Sequence, residues 1–132
     1  MKVVTAGIVA RGGRVLICQR PAGKPLSGYW EFPGGKLEKG ETPEAGLTRE
    51  LREELGFEAR ISEIYDAQIE TEFGEYIILY YRAEIASGEP RALEHADMRY
   101  VSPDELGSYR FASSDGAVAR RLAGRTESIN RG

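Results

Sequence analysis

Apolar residues gather in two short runs near the start of the chain, Lys2 to Ala10 and Arg14 to Gln19. Arg11-Gly12-Gly13 between them has the composition of a hairpin turn, so the pattern predicts two paired strands. Pro21 to Tyr29 is rich in Gly and Pro and reads as a loop. It leads into a short extended piece around Trp30 and Phe32. Further on, Glu58 to Glu70 and Tyr76 to Ile85 read as two more strands. The near-continuous run Ile77-Ile78-Leu79-Tyr80-Tyr81 predicts that the second is covered on both faces. Glu84 to Asp97 reads as loop and Met98 to Val101 as a short strand. Ser102-Pro103-Asp104-Glu105 has the composition of a capping box opening a short helix. A last helix is expected over Ser114 to Ala123, with Gly124 to Gly132 fraying.

In the middle of the chain the apolar period changes to that of a helix. Thr42 suits an N-cap, Pro43 the first helical turn and Gly56 the stop. Leu47, Leu51 and Leu55 form an apolar stripe. At about 100° per residue, Glu50, Glu53 and Glu54 fall within an arc of roughly 100° beside it. Carboxylates so close repel unless a cation lies among them, and an all-oxygen set selects a hard ion, Mg²⁺ first and Mn²⁺ second. The competing reading is an ordinary solvated helix in which Arg49 and Arg52 neutralise the charge. Gly46 counts against it, because a glycine one turn before Glu50 costs about 1 kcal/mol relative to Ala and suits a close approach by a loop or phosphate. So does Phe32-Pro33-Gly34-Gly35, which reads as a rigid turn facing the same cluster.

Gly35, Glu41, Arg49, Glu50, Leu51, Glu53, Glu54, Gly56 and Phe57 fill every fixed position of the Nudix hydrolase signature, which this segment therefore resembles. The resemblance implies an α/β/α sandwich with a mixed sheet and hydrolysis of a nucleoside diphosphate linked to another group. It also implies a requirement for Mg²⁺ or Mn²⁺. Carried over residue by residue, it makes Glu54 the firmest metal ligand, with Glu50, Glu53 and the carbonyl of Gly34 beside it. Arg49 becomes an orienter of its neighbouring carboxylates, and Glu41 a tie between loop and helix. Glu94, after the last long strand, resembles the loop glutamate that the family brings to the metals. Either Glu50 or Glu94 serves as general base on this reading. His95 beside it is the only histidine and reads as an incidental surface residue.

Composition changes this picture little. The chain has 132 residues, a length expected of one domain, with 41% hydrophobic and 30% charged residues. A net charge of −3 gives no general attraction to nucleic acid polymers or anionic membranes. The single cysteine, Cys18, lies in an apolar stretch and reads as a small buried residue. No apolar run reaches membrane-spanning length and no signal pattern opens the chain, so the cytoplasm is the expected location. A monomer or a homodimer is expected.

For the substrate, Trp30-Glu31-Phe32-Pro33-Gly34-Gly35-Lys36 resembles the MutT branch, which acts on oxidised purine nucleoside triphosphates, and the related CTP pyrophosphohydrolases. That resemblance implies a small-molecule nucleotide partner. It places Glu31, Phe32 and Pro33 in the nucleotide pocket, Arg20 near the nucleotide and Asp115 at the base edge. For Asp115 the alternative is a helix cap within Ser113-Ser114-Asp115, and for Arg20 a surface arginine with its stem packed. Hydrolysis of ADP-ribose or dinucleoside polyphosphates, and a catalytically idle nucleotide sensor, are the alternative functions.

Overall fold

A computed structural model describes residues 1–72 and 74–124 in full, and residues 125–131 only as part of the last helix. The last helix does not stop at Ala123 as expected: it continues through Gly124 to Arg131, and the rest of the tail expected to fray lies outside the fully described residues. In chain order the elements are β1 (Lys2–Arg11), β2 (Arg14–Gln19), β3 (Trp30–Glu31), β4 (Gly34–Lys36), α1 (Pro43–Leu55), β5 (Glu58–Glu70), β6 (Tyr76–Ser87) and β7 (Asp97–Val101). A 3₁₀ helix (Pro103–Ser108) and α2 (Ser113–Arg131) complete them.

The strands lie in the order β3-β2-β1-β6-β5, with β4 added to β1 and β7 to β2. β1 runs parallel to β6, pairing Val4 with Ile78, and the other pairings are antiparallel. The sheet is therefore mixed, as expected. Its period-two alternation separates two cores. Ala6, Ile8, Val15, Ile17, Ile78 and Tyr80 face one side, where Leu106 of the 3₁₀ helix and Val118, Ala119 and Leu122 of α2 cover them. Val9, Leu16, Cys18, Tyr81 and Ala83 face the other, beneath Leu47, Leu51 and Leu55 of α1. These are the helix–sheet–helix layers of the sandwich, and β6 is covered on both faces.

One feature of β1 decides where a cavity opens. Val4–Ala6 pairs with β4, whereas Ala10 and Arg11 pair with β2. Between them the Gly7 N–H donates to the Pro33 carbonyl at 2.7 Å. β3 and β4 thus diverge from a common point, and residues of both strands and of Val4–Ala6 line the cavity.

Several expectations need correction. Phe32-Pro33-Gly34-Gly35 is a turn only in its first half, because Gly34 and Gly35 belong to β4. Two glycines in a three-residue strand carry no apolar period; pairing with β1 defines it. The loop after β6 starts later than expected, since the strand continues to Ser87. Ser102 and Glu105 make no capping box: the Ser102 hydroxyl donates to the Glu105 carboxylate, and neither side chain caps the helix backbone.

Candidate active site

α1 begins and ends where local chemistry dictates. The Thr42 hydroxyl accepts from the Ala45 N–H at 3.2 Å, and Gly56 closes the helix in the left-handed region at φ 69°. Its apolar stripe fixes the rotation, turning Glu50 and Glu54 towards β4 and leaving Glu53 more open, with 56% of its side chain exposed. The loop before the helix comes close. A Cβ on Gly46 would meet Leu37 at 2.4 Å and Glu41 at 3.1 Å, so this glycine admits a loop rather than a phosphate. A Cβ on Gly35 would meet the Glu50 carboxylate within 2.5–2.8 Å.

Arg49 organises the exposed side of this cluster. Its guanidinium donates from Nε to Glu41 Oε2 at 2.7 Å and from Nη2 to Glu41 Oε1 at 3.0 Å, a two-pronged pair. It also reaches Glu50 at 2.9 Å, Glu53 at 3.2 Å and the Lys36 carbonyl at 3.1 Å. Held by Arg49 and by the Glu38 N–H, the Glu41 carboxyl is depressed to about 2. Glu50 moves the other way: burial raises its pKa against the pull of Arg49, with Glu53 and Glu94 adding like charge.

Glu54 has no such cation. Burial, then the charges of Glu50, Glu31 and Glu94, push it up to about 8, opposed by the Gly34 N–H. Its Oε2 is buried without a hydrogen-bond partner. Glu94 comes from the loop between β6 and β7, which docks on the end of α1 through Arg91 N–H to the Leu55 carbonyl (2.9 Å) and Leu93 N–H to the Glu54 carbonyl (3.2 Å).

Among the described residues, no three His, Cys, Asp or Glu side chains already converge as a ready-made metal site. The donor set nevertheless fits a hard divalent ion. It offers carboxylates and a backbone carbonyl, without thiol or imidazole in the cluster, and one buried carboxylate oxygen that nothing satisfies. Arg49 pairs with both Glu50 and Glu53, at 2.9 and 3.2 Å.

From Glu54 a cavity of about 550 Å³ runs past Gly34, Glu31 and Phe32 to Asp115, Glu70 and Ser114. Arg20 lines it, but its side chain is committed: Nη1 donates to Glu31 Oε1 at 2.8 Å and Nε to the Pro25 carbonyl at 2.6 Å. Phe32 is buried, stacked on Phe111 with centroids 5.4 Å apart and edge-on to Tyr80. Pro33 is buried and does not line the cavity; its carbonyl serves Gly7. Asp115 lies inside the first turn of α2, so it is not the N-cap. Its Oδ1 accepts from the Tyr80 hydroxyl at 2.5 Å and its Oδ2 from the Phe32 N–H at 3.1 Å. Burial raises its pKa to about 7 despite those two bonds, with Glu31 and Glu70 adding to the rise.

Two residues escaped the sequence reading. Glu70 is buried at the far end of the cavity, accepting from the Ser114 hydroxyl at 2.6 Å and from Ser113 at 3.2 Å. The two serines of the supposed cap cluster therefore serve a carboxylate. His95 is not a surface residue: its side chain is 5% exposed, and Nε2 lies 2.9 Å from Glu31 Oε2. Neither contact has a local sequence signal, since 43 or more residues separate the partners. Cys18 is buried and burial raises its thiol pKa, in keeping with a packing role.

Comparison with known proteins identifies the family of this fold. A CTP pyrophosphohydrolase of Escherichia coli is 40% identical, over 85% of this chain and 84% of that protein. An 8-oxo-dGTP diphosphatase of Haemophilus influenzae is 34% identical, over 96% and 94%. The crystal structure of a MutT Nudix hydrolase from Burkholderia pseudomallei superposes with a TM-score of 0.82 at 26% identity, covering 90% of this chain and 95% of that one. Residues 1–122 match the NUDIX domain, and the chain belongs to the Nudix hydrolases, enzymes that cleave phosphoanhydride bonds.

Proposed function

We propose that this chain hydrolyses a nucleoside triphosphate to the monophosphate and pyrophosphate, with Mg²⁺ as the preferred ion and an oxidised guanine or a cytosine as the base. The observation that carries the reading is the continuity of one cavity, from the unsatisfied carboxylate oxygen of Glu54 to the half-buried carboxylate of Asp115. Relatives named for 8-oxo-dGTP and CTP hydrolysis support it.

Glu50, Glu53, Glu54, Glu94 and the Gly34 carbonyl would hold the ion, which supplies charge neutralisation at the diphosphate and acidifies water. The chain's own residues do the rest. Glu50 or Glu94 accepts the proton of the attacking water; the raised pKa of Glu50 suits that task. Arg49 keeps Glu50 and Glu53 aligned while tying both to Glu41. Arg20 and Glu31 form the wall along the nucleotide, and Phe32 forms an apolar floor. With a pKa near 7, Asp115 can accept from a base as carboxylate or also donate as acid.

Incubation with Mg²⁺ and a panel of normal and oxidised nucleoside triphosphates, dinucleoside polyphosphates and ADP-ribose tests the proposal. Monophosphate and pyrophosphate from one triphosphate are expected. Turnover of the ADP-linked compounds alone would overturn the base assignment, and nucleotide binding without any turnover would point to a sensor.

A further inference from the structure

The loop carrying Glu94 is held at both ends by backbone bonds: Leu93 N–H to the Glu54 carbonyl at 3.2 Å, and Ala96 N–H to the Gln19 carbonyl at 2.9 Å. Between these anchors, Glu94 and His95 make no backbone–backbone hydrogen bond among the described residues. Glu94 itself is exposed. What ties the middle of the loop to the protein is the His95 ring, nearly buried and 2.9 Å from Glu31.

Glu31 is a firm partner. Arg20 holds its other oxygen at 2.8 Å, and Arg20 is fixed in turn by the Pro25 carbonyl at 2.6 Å. Burial alone would raise the Glu31 pKa, but His95 and Arg20 outweigh it, so the carboxylate is an acceptor and His95 donates from Nε2. The other ring nitrogen, Nδ1, is buried without a partner, so nothing else orients the ring by hydrogen bonding. The line His95–Glu31–Arg20 therefore joins the glutamate loop to the wall of the nucleotide cavity.

We propose that His95 is a positioning residue for the hydrolysis: its bond to Glu31 holds the loop in the register that presents Glu94 to the carboxylate cluster. The inference rests on the role given to Glu94 above. Glutamine places an amide N–H where Nε2 stands, whereas asparagine places one near the Nδ1 position and cannot reach Glu31. The two amides thus separate the bond from the bulk of the side chain.

The test measures kcat and KM for His95→Ala, His95→Asn, His95→Gln, Glu94→Gln and the pair Glu94→Gln/His95→Ala, on the triphosphate the wild type prefers. His95→Ala and His95→Asn should lower kcat about tenfold, with KM changed less than about twofold, as expected when a reacting group is displaced. His95→Gln should recover most of the loss. The pair should be no slower than Glu94→Gln alone, because His95 acts through Glu94. If His95→Ala does not fold, the asparagine–glutamine contrast carries the test. An unchanged kcat, a change confined to KM, or losses that multiply in the pair would overturn the inference while leaving an impaired Glu94→Gln intact. Full turnover by Glu94→Gln would remove the role of Glu94 and this inference with it.

Discussion

Glu54 is half-buried beside Glu50, Glu31 and Glu94, with one buried oxygen unsatisfied and a pKa near 8. A carboxyl whose folded pKa exceeds its unfolded value lets the native state bind more protons, so stability falls as pH rises between the two values. For Glu54 that window runs from about pH 4 to about pH 8. Glu54→Gln removes the charge yet can still accept from the Gly34 N–H. The metal-free variant should therefore unfold at higher temperature than wild type at about pH 8, the difference closing towards about pH 4. Hydrolysis should meanwhile fall on the order of 100-fold or more, because a charge needed to hold the ion has gone. Thermal melts in chelator at several pH values, with turnover measured alongside, check both arms; a variant equally active would remove Glu54 from the ion site. That this residue lies on the carboxylate side of α1 was legible, because it follows from helical spacing. His95 was not, since its burial depends on a loop docking against a strand 64 positions away.

At the scale of elements, the boundaries that came out correctly are those fixed by local chemistry. The helix α1 runs between the Thr42 cap and the left-handed Gly56, both visible as residue types. The strand β4 was missed because its identity comes from its neighbour. Its two glycines make contrasting demands. A Cβ on Gly34 would lie 2.0 Å from the Thr5 carbonyl oxygen and 2.8 Å from the Ala6 Cα, both backbone atoms that cannot move aside singly. Gly34→Ala should thus break the β1–β4 pairing and cost more than the roughly 1–3 kcal/mol typical of overpacking. The atoms facing a Cβ on Gly35 belong to the Glu50 carboxylate, the free end of a flexible side chain. Gly35→Ala should fold with a smaller loss of stability but displace Glu50, lowering kcat on the order of 10- to 100-fold. Urea unfolding and steady-state kinetics on the two variants test this ordering. Equal stability losses would mean that β4 is less closely held than its backbone contacts indicate.

For the whole molecule, a net charge of −3 understates how unevenly the charge lies. Glu31, Glu50 and Glu94 set like charge around Glu54, and Glu31 does the same for Asp115, whereas the charge of Arg49 goes to Glu41 and the outer edge of the cluster. The metal-free protein should therefore have a stability profile with two limbs. Glu41, depressed to about 2, contributes stability that is present above its unfolded pKa and lost as pH falls through about 2. Glu54 and Asp115, raised to about 8 and about 7, give the opposite limb, in which stability declines as pH rises from about 4. A divalent ion competes with protons for the same oxygens, so its stabilisation grows as those protons leave. At about 100 times its dissociation constant an ion bound only to the native state adds about 2.7 kcal/mol. Mg²⁺ should accordingly raise the melting temperature clearly at about pH 8 and little at about pH 5, flattening the alkaline limb. Glu54→Gln should lose most of that response, while a Glu63→Gln control on the exposed part of β5 should keep it. An Mg²⁺ shift of equal size at both pH values would place the ion away from these carboxylates. A shift that follows their deprotonation would tie the fold's least stable charge arrangement to the ion it is built to receive.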